Sequence, residues 1–236
     1  MNIEVNNYKD LIKYLTQNSC GDEFIEFSYR IIKTKKEIIG VKVPFLRKIA
    51  KEIYKVPHDW LYKNFDNKIY EVIMVQGLVI AQEEKSVAKK MFSQFIKQVD
   101  NWAVVDTIVG SIKFAQKLGI EGFEYFKAFA LSKNEFESRF GIIGLMKFYL
   151  EKEYIFETLT VVGGVKCEKY YVEMAIAWLI SEIMIKNTQN AIEIMQKIIK
   201  NMQLNKFIIN KSIQKACESY RIEQKIKYKL KEMKIK

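Results

Sequence analysis

The amino-acid sequence predicts an all-α protein built from short helical hairpins stacked one on another. Apolar residues recur at three- and four-residue spacing through nearly the whole chain, as at Tyr8, Leu11 and Leu15. This spacing is the period of an amphipathic helix. Only two of the 236 residues are proline and ten are glycine. Strand-like alternation is absent apart from the short stretch 161–165, so helices are expected from end to end.

The periodicity predicts fourteen helical segments joined by short loops. Their approximate spans are 4–18, 22–34, 43–54, 57–64, 68–81, 86–98, 101–113, 121–131, 135–149, 154–161, 169–185, 188–200, 204–218 and 220–232. Asp100, Ser132 and Asn187 are expected as helix N-caps. Many short helices without sustained heptads predict hairpins stacked in a curved solenoid. No proline- or glycine-rich linker interrupts the chain, so a single domain over 1–236 is expected.

Composition excludes several functional classes. Hydrophobic residues make up 49% of the chain, enough for a large core and too many for a disordered protein. No apolar run reaches the roughly eighteen residues of a membrane helix, and the first residues lack a signal-peptide pattern, so a cytoplasmic protein is expected. Three scattered cysteines and a single histidine, His58, match neither a disulfide framework nor a zinc site. We expect no metal, no cofactor and no histidine base.

The charge points to a polyanionic partner. The net charge is +11, and residues 206–236 carry ten basic against three acidic residues. Such an excess favours nucleic acid first and an acidic membrane second, although a Lys-, Ile- and Asn-rich composition can also reflect genome bias. Arg47 and Lys48 either contact a DNA backbone or face solvent. The lysines of the C-terminal tail either neutralise phosphates or form a solvated helix end.

Four residues stand at intervals typical of helical-hairpin repeats. Arg139 follows Asp106 by 33 residues and Trp178 follows Arg139 by 39, so all three are expected on one face of the stack. Trp102 and Asp106 are four residues apart and therefore adjacent on one helix face. Each residue also has a structural interpretation: the tryptophans as core, Asp106 as a cap or ion-pair partner, and Arg139 as the partner of Glu135 one turn earlier.

The chain resembles the DNA alkylation repair (AlkD-like) alkylpurine DNA glycosylases, which are built from HEAT-like repeats. The resemblance rests on the Trp-x-x-x-Asp motif, the later Arg and the still later Trp, in that order. It also rests on six segments that cover most of the chain, at 40–53, 70–81, 100–113, 138–150, 170–182 and 214–222. The resemblance implies a HEAT-like solenoid that acts on alkylated bases in double-stranded DNA.

The resemblance also implies roles for the four residues. Asp106 matches the catalytic carboxylate. Trp102 and Trp178 match the two tryptophans that gather with it around the deoxyribose of the lesion. Arg139 matches the arginine that holds a nearby phosphate. The family is understood to act without turning the base into a pocket, unlike most glycosylases.

The chemistry of alkylated purines is compatible with these roles. An N3- or N7-alkylated purine is cationic and leaves readily, and a carboxylate stabilises the positive charge that develops on the sugar. No lysine stands out as a Schiff-base nucleophile, so hydrolysis without a lyase step, by a monomer, is expected. Two alternatives remain: a non-catalytic relative that binds DNA or RNA with the same face, and a helical-repeat scaffold for an acidic protein.

Overall fold

The computed structural model describes residues 5–63, 67–117, 119–151 and 153–236. Within these ranges the protein is all-α, with thirteen α-helices, four short 3-10 helices and no β-strand. One isolated parallel bridge joins Glu37 to Ile69. No helix among the described residues is long and apolar enough to cross a membrane. The predicted fold class is therefore confirmed.

The chain divides into two compact units, Met1–Lys117 and Leu118–Lys236. The first unit holds α1 (Tyr8–Gln17), α2 (Asp22–Ile32), α3 (Val43–Ile53), α4 (Tyr70–Ile80), α5 (Lys85–Phe95) and α6 (Trp102–Val109). The second holds α7 (Gly119–Ala130), α8 (Glu135–Phe148), α9 (Ile155–Gly163), α10 (Tyr170–Lys186), α11 (Ala191–Asn201), α12 (Lys206–Glu218) and α13 (Gln224–Glu232). The single domain over 1–236 and the curved solenoid remain predictions.

The first unit is organised around α4, in which every residue is buried. A helix that is buried on all sides needs neighbours on all sides, and α3, α5 and α6 pack against it. Gly77 makes the approach of α6 possible, because a Cβ atom at this position would overlap the side chain of Ile108. The packing of consecutive helices is compatible with helical-hairpin repeats.

The second unit is organised around α10, which packs between α8 and α12. Nine of the seventeen α10 residues are buried, including Ala175, Leu179 and Ile183. In the same unit α7 packs closely against α8. This contact requires Gly141, because a Cβ atom there would overlap the backbone of Ala130 and Phe126.

Several local expectations need correction. The segment 57–64 forms only a 3-10 helix, Asp59–Tyr62, in which Leu61 alone is buried; a segment with one buried residue has no apolar face to hold an α-helix. Residue 64 lies outside the described ranges. The N-cap of α6 is Asn101 rather than Asp100, and that of α8 is Asn134 rather than Ser132. Asn187, which was expected as an N-cap, precedes a 3-10 helix, and the α-helix of this segment, α11, begins only after Asn190.

Candidate functional site

Helix α6 carries Trp102 and Asp106 on its accessible side. Val104, Val105 and Ile108 are buried on the opposite side, whereas Trp102 and Asp106 are both only half-buried. The side chain of Asn101 caps the helix by accepting a hydrogen bond from the backbone N–H of Val104 at 3.0 Å. The four-residue spacing thus places an indole and a carboxylate one turn apart on a surface that solvent reaches.

The Trp102 indole is fixed by a bond to a distant helix. Its Nε1–H donates to the backbone carbonyl oxygen of Ile31, in the last turn of α2, at 3.2 Å. The last carbonyls of a helix lack partners within the helix. This bond therefore gives one carbonyl of α2 a partner, and it also orients the indole. Trp102 is therefore neither a fully buried core residue nor a freely rotating surface residue.

The half-buried carboxylate of Asp100 holds the segment that follows α2. It accepts hydrogen bonds from the Thr34 hydroxyl at 2.7 Å and from the Lys35 backbone N–H at 2.8 Å. Because Asp100 directly precedes the Asn101 cap, these bonds tie the end of α2 to the start of α6. The residue expected as a helix cap instead joins two distant parts of the unit.

A second carboxylate anchors the same segment to α4. Glu71 is fully buried and accepts backbone N–H groups from Ile39 at 3.0 Å, Gly40 at 2.7 Å and Val41 at 3.1 Å. Gly40 has a φ of 93°, a left-handed conformation that glycine adopts without strain and that lets successive N–H groups converge on an anion. The charge of Glu71 is thus matched by three donors, as burial requires.

Arg47 lies at the far end of α6. It is exposed on α3, and its Nη1 donates to the hydroxyl of Ser111 at 2.5 Å. That hydroxyl in turn donates to the carbonyl oxygen of Thr107 at 2.8 Å. Arg47 is therefore connected to the segment that carries Asp106, which the sequence had not predicted. Lys48 is exposed on the next position of α3.

A basic cavity of about 220 Å³ opens beside this contact. Its polar lining comes from Arg47, Lys51, Gln82, Ser111 and Lys113. Three cationic side chains converge here, and a site of this charge suits a phosphate. Lys48, expected from the sequence as a DNA contact, does not line the cavity. Lys51 was missed, although its position four residues after Arg47 was a usable signal; nothing local pointed to Lys113.

Arg139 in the second unit is buried, with 5% of its surface exposed. Its Nη1 donates to the backbone carbonyl of Tyr171 at 2.7 Å. Glu135, one turn earlier on α8, accepts the backbone N–H of the same residue at 3.0 Å. Both side chains thereby bind the first turn of α10.

Trp178 on α10 is half-buried. Its indole N–H donates to Glu182, on the same helix, at 3.1 Å. The ammonium group of Lys215 on α12 lies 5.8 Å from the ring centroid, within the range of a cation–π contact. Trp178 is therefore held by its own helix and by the neighbouring α12.

The predicted site residues fall into two groups. Trp102, Asp106 and Arg47 belong to the first unit, where Trp102 and Asp106 share α6 and Arg47 is bonded just beyond its end. Arg139 and Trp178 belong to the second unit, on α8 and α10, which pack against each other. Among the described residues, no group of three or more His, Cys, Asp or Glu side chains is placed to hold a metal ion.

The comparison with protein families agrees with the sequence analysis. A family model described as DNA alkylation repair enzyme matches residues 21–216, which includes α2 to α11, nearly all of α12 and all six site residues. Among curated proteins, no match is found. Since the matched region covers well over half of its length, the chain belongs to the DNA alkylation repair enzyme family.

Proposed function

We propose that this protein is a monofunctional DNA glycosylase that hydrolyses the N-glycosidic bond of N3- and N7-alkylated purines in duplex DNA. The observation that carries the proposal is the pairing of Trp102 and Asp106 on the accessible side of α6, in a chain of the DNA alkylation repair family. We further propose that the protein acts as a monomer, as one HEAT-like solenoid domain, without metal or cofactor.

The reaction needs a negative charge beside the sugar. The bond between C1′ and the purine nitrogen breaks, and its electron pair leaves with the base, which neutralises the charge that alkylation placed there. Water adds to C1′ and loses a proton, so the products are the free alkylated base and an abasic site. The transition state carries positive charge on the sugar. A carboxylate at Asp106 stabilises that charge and orients the attacking water.

The indole rings of Trp102 and Trp178 assist in the same way. The face of an indole ring stabilises nearby positive charge by about 0.5–2 kcal/mol per contact. The bond to Ile31 holds the Trp102 ring in one orientation, which lowers the entropy lost when substrate binds. Trp178 supplies the second ring in this proposal.

The remaining predicted residues bind the DNA backbone. Arg139 holds a phosphate near the lesion, and contacts of this type position DNA without reading its sequence. Arg47 and Lys48 bind backbone phosphates, and the cavity beside Arg47 adds Lys51 and Lys113 to this set. The contacts are thus expected to be independent of base sequence and sensitive to salt.

Release of free base from methylated duplex DNA tests the proposal. The wild-type protein should release 3-methyladenine or 7-methylguanine above the spontaneous rate, leave abasic sites, and leave the strands uncut. Asp106→Asn should lose most of this activity. Asp59→Asn, which removes an exposed carboxylate from the same unit, is the matched control and should retain it. Salt-sensitive DNA binding without base release would refute the enzyme and leave a binding protein.

A further inference from the structure

The C-terminal helical pair, α12 and α13, carries an excess of positive charge that the proposed excision does not use. Helix α13 reads QKIKYKLKE and contains four lysines. It lies beyond residue 216, where the family match ends. One side of the helix belongs to the core, since Leu230 is fully buried. The lysines therefore occupy the remaining sides.

The spacing of these lysines is unfavourable for an isolated helix. Lys225 and Lys229 are one turn apart, as are Lys227 and Lys231, and Lys234 continues the second row after the helix ends. Like charges at this spacing repel and destabilise a helix. An anionic partner lying along the rows would relieve that repulsion.

Carboxylates of the protein do not form ion pairs with these two rows of lysines. Elsewhere on the surface lysines form ion pairs, as in Lys127–Glu124, Lys186–Glu151 and Lys197–Glu193. In the part of the chain that the structure describes, no α13 lysine has a carboxylate oxygen within the 4 Å of an ion pair. This charge is therefore available to a partner from outside.

A depression borders α12, the end of α13 and the segment that follows it. Two adjoining cavities, of about 220 and 520 Å³, share Gln214 and Lys234 in their walls. Lys231 and Glu218 border the smaller cavity, and Lys206 and Lys211 border the larger. We call this lysine-lined depression the C-terminal groove. Four lysines and one carboxylate line it, so its net positive charge suits a polyanion.

The thiol of Cys217 reports how closely the ammonium groups approach. Burial raises the pKa of this thiol, while Lys231, Lys227 and Lys234 act in the opposite direction by stabilising the thiolate. Three lysines from α13 and the segment after it thus act on one point of α12. Lys231 and Lys234 also line the smaller cavity together with Cys217, so the lysines form a cluster at this point.

Exposed aromatic rings flank the cluster. Tyr220 is 89% exposed and Tyr228 is 69% exposed. Arg221 lies 5.9 Å from the ring centroid of Tyr220, and Lys231 lies 5.9 Å from that of Tyr228. Tyrosine hydroxyls, like lysine and arginine side chains, contact the phosphate oxygens of DNA, so exposed tyrosines beside cations suit a DNA-backbone surface. A membrane-surface helix would instead expose a row of large aliphatic side chains, whereas Leu230 and Ile222 here are buried.

We propose that the C-terminal groove binds the phosphate backbone of duplex DNA, and that the lysines of its α13 side extend the binding surface beyond the matched family region. It adds affinity without sequence preference. It is independent of base excision, because none of its residues belongs to the proposed site.

The salt dependence of binding tests this proposal. A fluorescent, undamaged duplex is titrated at several KCl concentrations with wild-type protein and with the triple variant Lys227→Gln, Lys231→Gln and Lys234→Gln. The matched control is Lys127→Gln, Lys186→Gln and Lys197→Gln, which removes the same charge from paired lysines of the same unit. Circular dichroism establishes that all three proteins are folded.

The groove variant should bind more weakly and less salt-dependently. Each phosphate that the protein no longer neutralises lowers the slope of log affinity against log salt by about 0.9, so three such phosphates lower it by up to about 2.7. The control variant should change the slope by less than about 0.9. Equal changes in the two variants would show a net-charge effect and overturn the proposal, as would an unchanged groove variant. If the groove variant lost binding to phosphatidylserine vesicles but still bound the duplex normally, the groove would be a membrane-binding surface and the proposal would be overturned.

Because the probe carries no lesion, the outcome does not depend on the proposed excision. A groove variant with a reduced slope, in a protein that releases no base, would refute the glycosylase and support the groove. Normal base release together with an unchanged slope would support the glycosylase and refute the groove.

Discussion

Helices α6 and α8 both carry candidate site residues, and they are held by different kinds of contact. Around α6, polar groups do much of the positioning: Asp100 and Glu71 bind the segment after α2, and the Trp102 indole binds Ile31. Around α8, hydrogen bonds of Glu135 and Arg139 with Tyr171 are joined by a tight backbone contact, since α7 approaches so closely that Gly141 has no room for a Cβ atom.

This difference predicts different sensitivities. A buried carboxylate that collects several N–H groups cannot be replaced without leaving those groups unpaired, although the apolar core nearby stays intact. A contact between two backbones cannot accept even one methyl group without moving a helix. Polar substitutions should therefore dominate among the damaging changes around α6, and volume substitutions should be damaging where α7 meets α8.

The largest effect is expected from Glu71→Ala. Three backbone N–H groups, from Ile39, Gly40 and Val41, would lose their acceptor. Each unsatisfied buried donor is destabilising, and together they should lower the free energy of unfolding by about 3–5 kcal/mol. Urea unfolding followed by circular dichroism measures the change. Glu23→Ala, at an exposed position on α2, is the control, and an equally small loss in both variants would contradict the anchoring role.

A somewhat smaller loss is expected from Gly141→Ala. The new methyl group would meet the backbone of Ala130 and Phe126, which cannot move aside alone, so a loss of about 2–3 kcal/mol is expected. Gly77→Ala is the comparison, because there the methyl group meets side-chain atoms of Ile108 and Phe95 and not a backbone. The same unfolding measurement should rank Gly141→Ala as the more damaging of the two, and the reverse order would contradict a backbone-to-backbone contact between α7 and α8.

The smallest effect concerns the two tryptophans. Trp102→Phe removes the bond to the Ile31 carbonyl and should lower the free energy of unfolding by about 1 kcal/mol. Trp178→Phe removes a bond to Glu182 on the same helix, which joins no distant part of the chain. Its effect should be less than about 0.5 kcal/mol, as for side-chain pairs within one helix. Equal effects would show that Trp102 is not fixed by α2.

Local periodicity was sufficient to predict the fold class and most of the helices. The repeat of apolar residues predicted α4 and α10 within a few residues of their ends, because a buried helix face is encoded in neighbouring positions. The adjacency of Trp102 and Asp106 followed in the same way, since four residues span about one helical turn. The prediction of an α-helix over 57–64 was wrong because the apolar pattern there extended over too few residues.

Tertiary partners could not be predicted in this way. Arg47 bonds Ser111, 64 residues away, and Asp100 bonds Thr34, 66 residues away. Nothing in the local sequence distinguishes an aspartate that caps its own helix from one that binds a distant loop. The burial of Arg139 was likewise unpredictable, because its partner Tyr171 approaches only when α8 and α10 pack together.

The most direct test of the central claim is the single-turnover rate of 7-methylguanine release by wild-type protein and by Asp106→Asn, both saturating the DNA. If Asp106 stabilises the cationic sugar, the rate should fall by about 10²–10³-fold, while affinity for the methylated duplex changes little. An unchanged rate at saturation would contradict the assignment of Asp106 as the catalytic carboxylate.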